Sequence, residues 1–143
     1  MAQLTLYRLL PPSLRGRQVR EPGLAVAEAV RRGLPTALVD RLVRAGVVTT
    51  EEIERLVLPR RTLTHRRERG QTLSPAESDR LARVLRILAL AEETFQNADK
   101  AHRWLRTGNR ELQGRAPLDL LDTDGGAHAV EAVLGRISYG VYG

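Results

Sequence analysis

The chain has 143 residues, 42% of them hydrophobic, which is enough for one sizeable core or two small ones and excludes a mostly disordered protein. Its formal net charge is +6 and it has no cysteine, so disulfides and thiolate metal sites are excluded. No apolar run approaches the roughly 20 residues needed to span a bilayer, and we expect a cytoplasmic protein without a membrane segment.

The positive charge is concentrated in the first half of the chain. Residues 1–72 hold 14 arginines and 7 acidic residues, whereas residues 73–143 hold 9 Lys or Arg and 10 acidic residues. A basic half joined to a nearly neutral half is typical of a nucleic-acid-binding module fused to a module with another role. Arginine is also frequent in proteins from GC-rich genomes, in which case the charge alone indicates no binding.

The first half predicts an arm and four short helices. Residues 1–22 mix proline and glycine with scattered arginines, which predicts a flexible arm. Pro35 is expected at the first position of the second helix, Thr49 or Thr50 as the cap of the third, and Leu63 as the inward-facing residue of the fourth. Helical spacing of apolar residues places these helices at about 24–32, 35–46, 50–57 and 60–67.

The third and fourth helices have the spacing of a helix-turn-helix, in which the N-terminal residues of the second helix reach the major groove. Arginine can bind guanine through two hydrogen bonds or contact phosphate without reading sequence. The alternative interpretation is a solvated basic helix. The candidate DNA contacts are the polar residues of the fourth helix: Arg60, Arg61, Thr64, His65, Arg66 and Arg67.

A capping box, Ser74-Pro75-Ala76-Glu77, predicts the start of a long helix that reaches Phe95. Its apolar stripe is wider than a surface helix needs, because Ile87 and Leu90 lie beside it. This width predicts burial on two sides, either within the fold or in a dimer.

The remaining chain predicts further helices and a free end. Asn97 is expected to cap a helix over 98–106 with Trp104 as a core residue, and a last helix is expected to follow residues 122–124. No segment alternates with period two, so the predicted fold is all-α. The predicted domains are an arm over 1–22, a helix-turn-helix domain over 23–72 and a second helical domain with its tail over 73–143.

Catalytic and metal-binding chemistry is not indicated. His65, His102 and His128 are isolated in the sequence, so neither an enzyme, a metal site nor a cofactor is predicted. The end of the chain is more distinctive, since Tyr139 and Tyr142 stand between glycines. From the residues alone, insertion into a partner's cleft and packing back on the helices are both open.

Five sequence blocks, in order, resemble the Xre/MbcA/ParS antitoxin family. The N-terminal part, about residues 23–59, resembles the family's Xre-like helix-turn-helix in pattern only. The five blocks are Arg61-Thr62-Leu63 with Arg66-Arg67, residues 73–80, residues 101–105, residues 114–121 and residues 135–142.

The resemblance implies the antitoxin of a type II toxin–antitoxin pair whose toxin has a RES domain and degrades NAD+ or uses it for ADP-ribosylation. It implies a homodimer that binds operator DNA through the N-terminal module and covers the NAD+ pocket of the toxin with the C-terminal module. Among the DNA-reading residues it supports Arg60, Arg61, Thr64 and Arg66. The toxin-binding residues that it implies are Arg136, Tyr139, Tyr142 and Gly143. The competing hypothesis is a stand-alone dimeric transcription regulator without a toxin partner.

Overall fold

The computed structural model describes residues 22–140, and every regular element in that range is helical, which confirms the all-α prediction. Two short 3-10 helices, Arg110–Leu112 and Pro117–Asp122, precede the last α-helix. The predicted arm lies outside the described residues, except for Pro22. Within the described part of the chain, no helix has the length and apolarity to cross a membrane. The α-helices are α1 Pro22–Arg32, α2 Thr36–Arg44, α3 Thr50–Leu56, α4 Arg60–Glu68, α5 Pro75–Phe95, α6 Ala98–Leu105 and α7 Asp124–Ser138.

The structure resolves two uncertain helix starts. Thr49, not Thr50, caps α3: its Oγ1 accepts from the Glu52 amide (3.1 Å), and Glu52 Oε1 accepts from the Thr49 amide (2.9 Å). The prediction for Pro35 was wrong by one residue, because its ψ of 143° is extended and α2 begins at Thr36. Pro35 therefore stands at the cap position, where it offers no side-chain hydrogen-bond acceptor.

The described chain forms two compact units, of which the first ends at Ala82 and the second begins at Arg83. This division falls inside α5, and the functional domains that the sequence predicts, 23–72 and 73–143, stay predictions. The first turns of α5 are bonded to the first unit, because Ser78 Oγ accepts from the Leu34 amide (2.8 Å) and Arg80 Nε donates to the Val57 carbonyl (2.8 Å).

The core of the first unit is made by leucine side chains from its helices and from the segments between them. Gly33, with φ of +91°, ends α1 and lets the chain turn towards residue 73. A Cβ atom at Gly33 would lie 2.4 Å from the Leu73 carbonyl oxygen, so only glycine fits at this position. The buried side chains include Leu34, Leu38, Leu42, Leu56, Leu58, Leu63, Leu73 and Leu81.

The second unit packs the rest of α5, α6, the two 3-10 helices and α7 around another core. Of the two residues that widen the apolar stripe of α5, Ile87 is fully buried within the chain itself, whereas Leu90 is only half-buried. Trp104 was predicted as a core residue but is only half-buried, and it packs against the equally half-buried Phe95 with the ring centroids 5.5 Å apart. The core includes Val84, Leu85, Leu88, Ala91, Ala101, Leu105, Leu118, Leu121, Val130, Val133 and Leu134.

Candidate functional site

Helix α4 lies on the surface of the first unit and follows α3 after a three-residue turn. The turn is closed because the amides of Val57 and Leu58 both donate to the Ile53 carbonyl (2.8 and 3.1 Å). Leu63 is the one buried side chain of α4. The other side chains of α4 therefore face outward or along the surface, as a recognition helix requires.

Four of the six predicted DNA contacts lie together in an open surface depression of about 640 Å³. They are accompanied by two carboxylates, so the depression carries both signs of charge. Its lining consists of Arg60, Arg61, Thr64 and His65 with Glu54 and Glu68.

Arg60, at the start of α4, is held loosely by two carboxylates of α3. Its Nη2 lies 3.8 Å from Glu51 Oε1 and 3.9 Å from Glu54 Oε2, and all three side chains are about half exposed or more. Exposed ion pairs at this distance contribute little to stability, so phosphate or a base can replace the carboxylates. Thr64 Oγ1 donates to the Arg60 carbonyl (3.1 Å) and can still accept a further hydrogen bond.

Arg66, on the same helix, is bonded within the protein. Its Nε and Nη2 donate to the two carboxylate oxygens of Glu77, each at 3.1 Å, and its Nη1 donates to Gln71 Oε1 at 3.4 Å. A two-pronged Arg–carboxylate contact fixes geometry as well as charge. Arg66 therefore fixes the C-terminal end of α4 to the first turn of α5.

Glu77 also closes the predicted capping box of α5, which the structure confirms. Glu77 Oε1 accepts from the Ser74 amide (2.8 Å), while Ser74 Oγ accepts from the Glu77 amide (3.1 Å). Burial of Glu77 opposes its ionisation, but the hydrogen bonds from Arg66 and Ser74, with the charge of Arg66, outweigh it and hold the pKa of Glu77 below its ordinary value. One carboxylate thus stabilises both the start of α5 and the end of α4.

We expect the contribution of Glu77 to the free energy of unfolding to depend on pH. The pKa of Glu77 is lower in the folded state than in the unfolded state, where it is about 4.3. The Glu77 carboxylate therefore stabilises the fold above about pH 4.3, and this stabilisation is lost as the pH falls through the pKa of the folded state. Glu77→Gln should therefore be less stable than the parent chain at neutral pH, and the difference should shrink in acid. Urea unfolding at several pH values measures this, with Glu68→Gln on exposed α4 as control. If the stability difference between Glu77→Gln and the parent chain were the same at all pH values, the role of the Glu77 charge would be contradicted.

Arg67 makes the second contact that fixes α4. Its Nη2 lies 2.6 Å from Asp40 Oδ1 and its Nε lies 3.3 Å from Asp40 Oδ2, which ties α4 to α2. The capping box was visible in the sequence because its residues are three apart. The partners of Arg66 and Arg67 are 11 and 27 residues away, and sequence spacing gave no indication of them.

The predicted toxin-binding residues lie at the end of the second unit. Arg136 is in the last turn of α7, where its Nη2 lies 3.6 Å from Glu111 Oε2. Tyr139 follows α7 and is 85% exposed, so its ring is not packed on the helices. Tyr142 and Gly143 lie outside the described residues.

Comparison with known proteins assigns a family description to each half of the chain. Residues 25–86 match the Antitoxin Xre-like helix-turn-helix domain, which includes α3 and α4. Residues 90–140 match the Antitoxin Xre/MbcA/ParS C-terminal toxin-binding domain, which includes Arg136 and Tyr139.

Curated proteins similar to the chain carry the name Antitoxin Xre. One from Pseudomonas putida is 41% identical over 100 residues, which is 70% of this chain but 62% of that protein, so the match spans less than two thirds of its length. One from Yersinia enterocolitica is 30% identical over 122 residues, covering 84% of this chain and 82% of that protein. One from Photorhabdus laumondii is 30% identical over 114 residues, covering 78% of this chain and 77% of that protein.

Proposed function

Since the chain belongs to the Xre/MbcA/ParS antitoxin family, we propose that it neutralises a partner toxin through its second unit and binds operator DNA through its first. The observation that carries the proposal is the presence of both modules in one chain. A helix-turn-helix alone would suit any regulator, whereas the segment 90–140 matches a toxin-binding domain. No chemistry is required of either module, because both act by binding.

For DNA binding we propose that the outward side of α4 enters the major groove. Arg60 and Arg61 stand in its first turn, where a recognition helix contacts base edges, and Thr64 and His65 follow one turn later. Arg60 is pre-oriented by its loose pairs with Glu51 and Glu54. DNA displaces these carboxylates, and their charge repels phosphates that approach in a wrong register.

We assign Arg66 and Arg67 a positioning role in addition to their predicted DNA contacts. Both guanidinium groups are engaged by carboxylates, Glu77 and Asp40, that belong to α5 and α2. A recognition helix that is fixed at its C-terminal end loses less freedom when it binds, which favours affinity. Their direct contacts with DNA remain predictions.

Arg61→Ala should weaken operator binding by about 1–3 kcal/mol if Arg61 contacts a base, and it should relax specificity at that position. Arg61 is the suitable residue to change because its side chain is exposed and its removal leaves the Arg66 and Arg67 contacts intact. Gel-shift titration at fixed salt measures the change. Arg31→Ala, an exposed arginine at the end of α1, is the matched control and should change the affinity little. If Arg61→Ala and Arg31→Ala lost the same amount of operator affinity, the effect would come from charge and not from recognition of a base.

For toxin neutralisation we propose that the chain binds a RES-domain toxin and covers its NAD+ pocket with Arg136, Tyr139, Tyr142 and Gly143. The exposed ring of Tyr139 supports this proposal, because an aromatic side chain free of the fold can fill a partner's cleft. We further propose that the chain is a homodimer, since two recognition helices about 34 Å apart match one turn of DNA. Full-length and shortened chains compared against the purified toxin test the neutralisation.

A further inference from the structure

The second unit has a segregated surface charge that the proposed tail contacts do not use. From Arg83 to Gly140 the sequence has eight Lys or Arg and eight Asp or Glu. Residues 98–116 contain five of the cations and two acids, whereas residues 117–131 contain four acids and no Lys or Arg. The unit is therefore neutral as a whole but basic on one segment and acidic on the next.

Three of these five cations lie along α6 and its C-cap, and the other two lie in the loop that follows it. Lys100, Arg103 and Arg106 recur at every third residue of α6 and its cap, and all are exposed. The loop that carries Arg110 and Arg115 is closed by backbone bonds, because the Asn109 amide donates to the Arg115 carbonyl (3.0 Å). We call these five residues the cationic surface.

Further backbone contacts hold the two sides of this loop, residues 108–115, close together. The Gly114 amide donates to the Asn109 carbonyl (2.8 Å), and a Cβ atom at Gly108 would lie 2.7 Å from the Gly114 carbonyl oxygen. The two sides of the loop therefore touch through backbone atoms. These contacts fix the backbone positions of Arg110 and Arg115, so a partner has to order only their side chains when it binds.

The cationic surface adjoins the end of α7. Glu111, one of the two acids within residues 98–116, lies 3.6 Å from Arg136, which precedes the exposed Tyr139. The ion pair neutralises Glu111, so the surrounding surface is more positive than the sequence count suggests. A partner that receives Tyr139 in a cleft would meet the cationic surface at the rim of that cleft.

We propose that the cationic surface docks an acidic rim around the active site of the toxin and steers its association. This inference rests on the proposed toxin neutralisation. An acidic protein suits the surface better than DNA does, because the next segment of the chain exposes three acids, Asp119, Asp122 and Asp124, which would repel a polyanion that extends over them. A protein partner can instead carry complementary charges on each side.

Charge reversal at three positions tests the docking. A chain with Arg103→Glu, Arg110→Glu and Arg115→Glu should associate with the purified toxin about tenfold more slowly or worse at low salt, since steering raises association rates by about 10- to 1000-fold. The dissociation rate of the variant should change much less. Added salt should reduce the association rate of the parent chain more than that of the variant. Stopped-flow or surface-binding kinetics with the purified cognate toxin measures both rates.

The matched control carries Arg31→Glu, Arg32→Glu and Arg69→Glu, three exposed positions of the first unit, and has the same net charge. Its toxin association should equal that of the parent chain. Equal slowing of both variants, or no slowing of either, overturns the docking. Unchanged toxin association with weaker DNA binding by the Arg103, Arg110 and Arg115 variant also overturns it and identifies DNA as the partner.

Two further results distinguish a failure of the docking proposal from unfolding of the variant and from a failure of the proposed neutralisation. If the charge-reversed chain is unfolded by circular dichroism, the corresponding Arg→Gln changes give the same comparison with smaller expected slowing. If the parent chain does not bind the toxin at all, the proposed neutralisation fails and the docking proposal fails with it. Binding by the parent with an unchanged rate in the variant refutes the docking alone.

Discussion

Under the proposed neutralisation, a chain that ends at Ser138 is expected to fold normally but to lose protection against the toxin. Helix α7 ends at Ser138, and Tyr139 is 85% exposed, so the removed segment takes no described side chain from the core. Loss of a buried aromatic anchor from an interface costs about 2–4 kcal/mol, which corresponds to roughly 30- to 1000-fold weaker toxin binding. Toxin affinity in vitro, and cellular NAD+ and growth when the proposed RES-domain toxin is induced, measure the loss.

The control for this truncation is Tyr139→Phe, which keeps the ring and should retain most of the affinity. Equal protection by the full and shortened chains would place inhibition in the helices and would defeat the assignment of Tyr139, Tyr142 and Gly143. If neither chain binds the toxin while both bind the operator, the chain acts as a stand-alone regulator. That outcome is the alternative that the sequence left open.

Gly126→Ala is expected to destabilise the second unit by about 3 kcal/mol, at the upper end of the usual cost of overpacking. A Cβ atom at this position would lie 1.9 Å from the Leu120 carbonyl oxygen and 2.8 Å from its carbonyl carbon. The obstacle is backbone, which cannot rotate away as a side chain can. Its neighbour Leu121 is fully buried, so a shift of this segment would disturb the core.

Gly125→Ala provides a control from the adjacent position of the same helix. Nothing lies within 4 Å of a Cβ atom there, so the change should leave stability unchanged or raise it by about 0.4–1 kcal/mol. Urea unfolding of both variants and the parent measures the contrast. Similar stabilities for the two variants would mean that the chain around Leu120 can move, contrary to the packing described above.

The local parts of the fold could be predicted because their causes are local. The capping box joins Ser74 to Glu77 across three residues, and Gly33 ends α1 through its own backbone freedom. The apolar spacing along α4 likewise gave Leu63 as its inward residue. Each of these features depends on residues within a turn or two, which the sequence displays directly.

The places where sequence reasoning failed concern burial and partners. The sequence suggested a core position for Trp104, whereas its side chain is only half-buried and packs against the ring of Phe95. His102 was read as an isolated residue, yet its Nε2 lies 2.9 Å from Oε1 of the buried Glu92, a separation of ten residues. Neither outcome has a periodic pattern that a sequence could reveal.

The sequence by itself therefore determined the helices, the charge asymmetry and the two modules, since propensity, capping and composition act over short distances. Only the tertiary structure decided which arginines of α4 face outward and which are bonded to the protein. Arg66 meets Glu77 and Arg67 meets Asp40 because the helices pack in one arrangement, and no spacing rule predicts contacts across 11 and 27 residues. Packing also brings Arg136 to Glu111, and so joins the cationic surface to the end of α7.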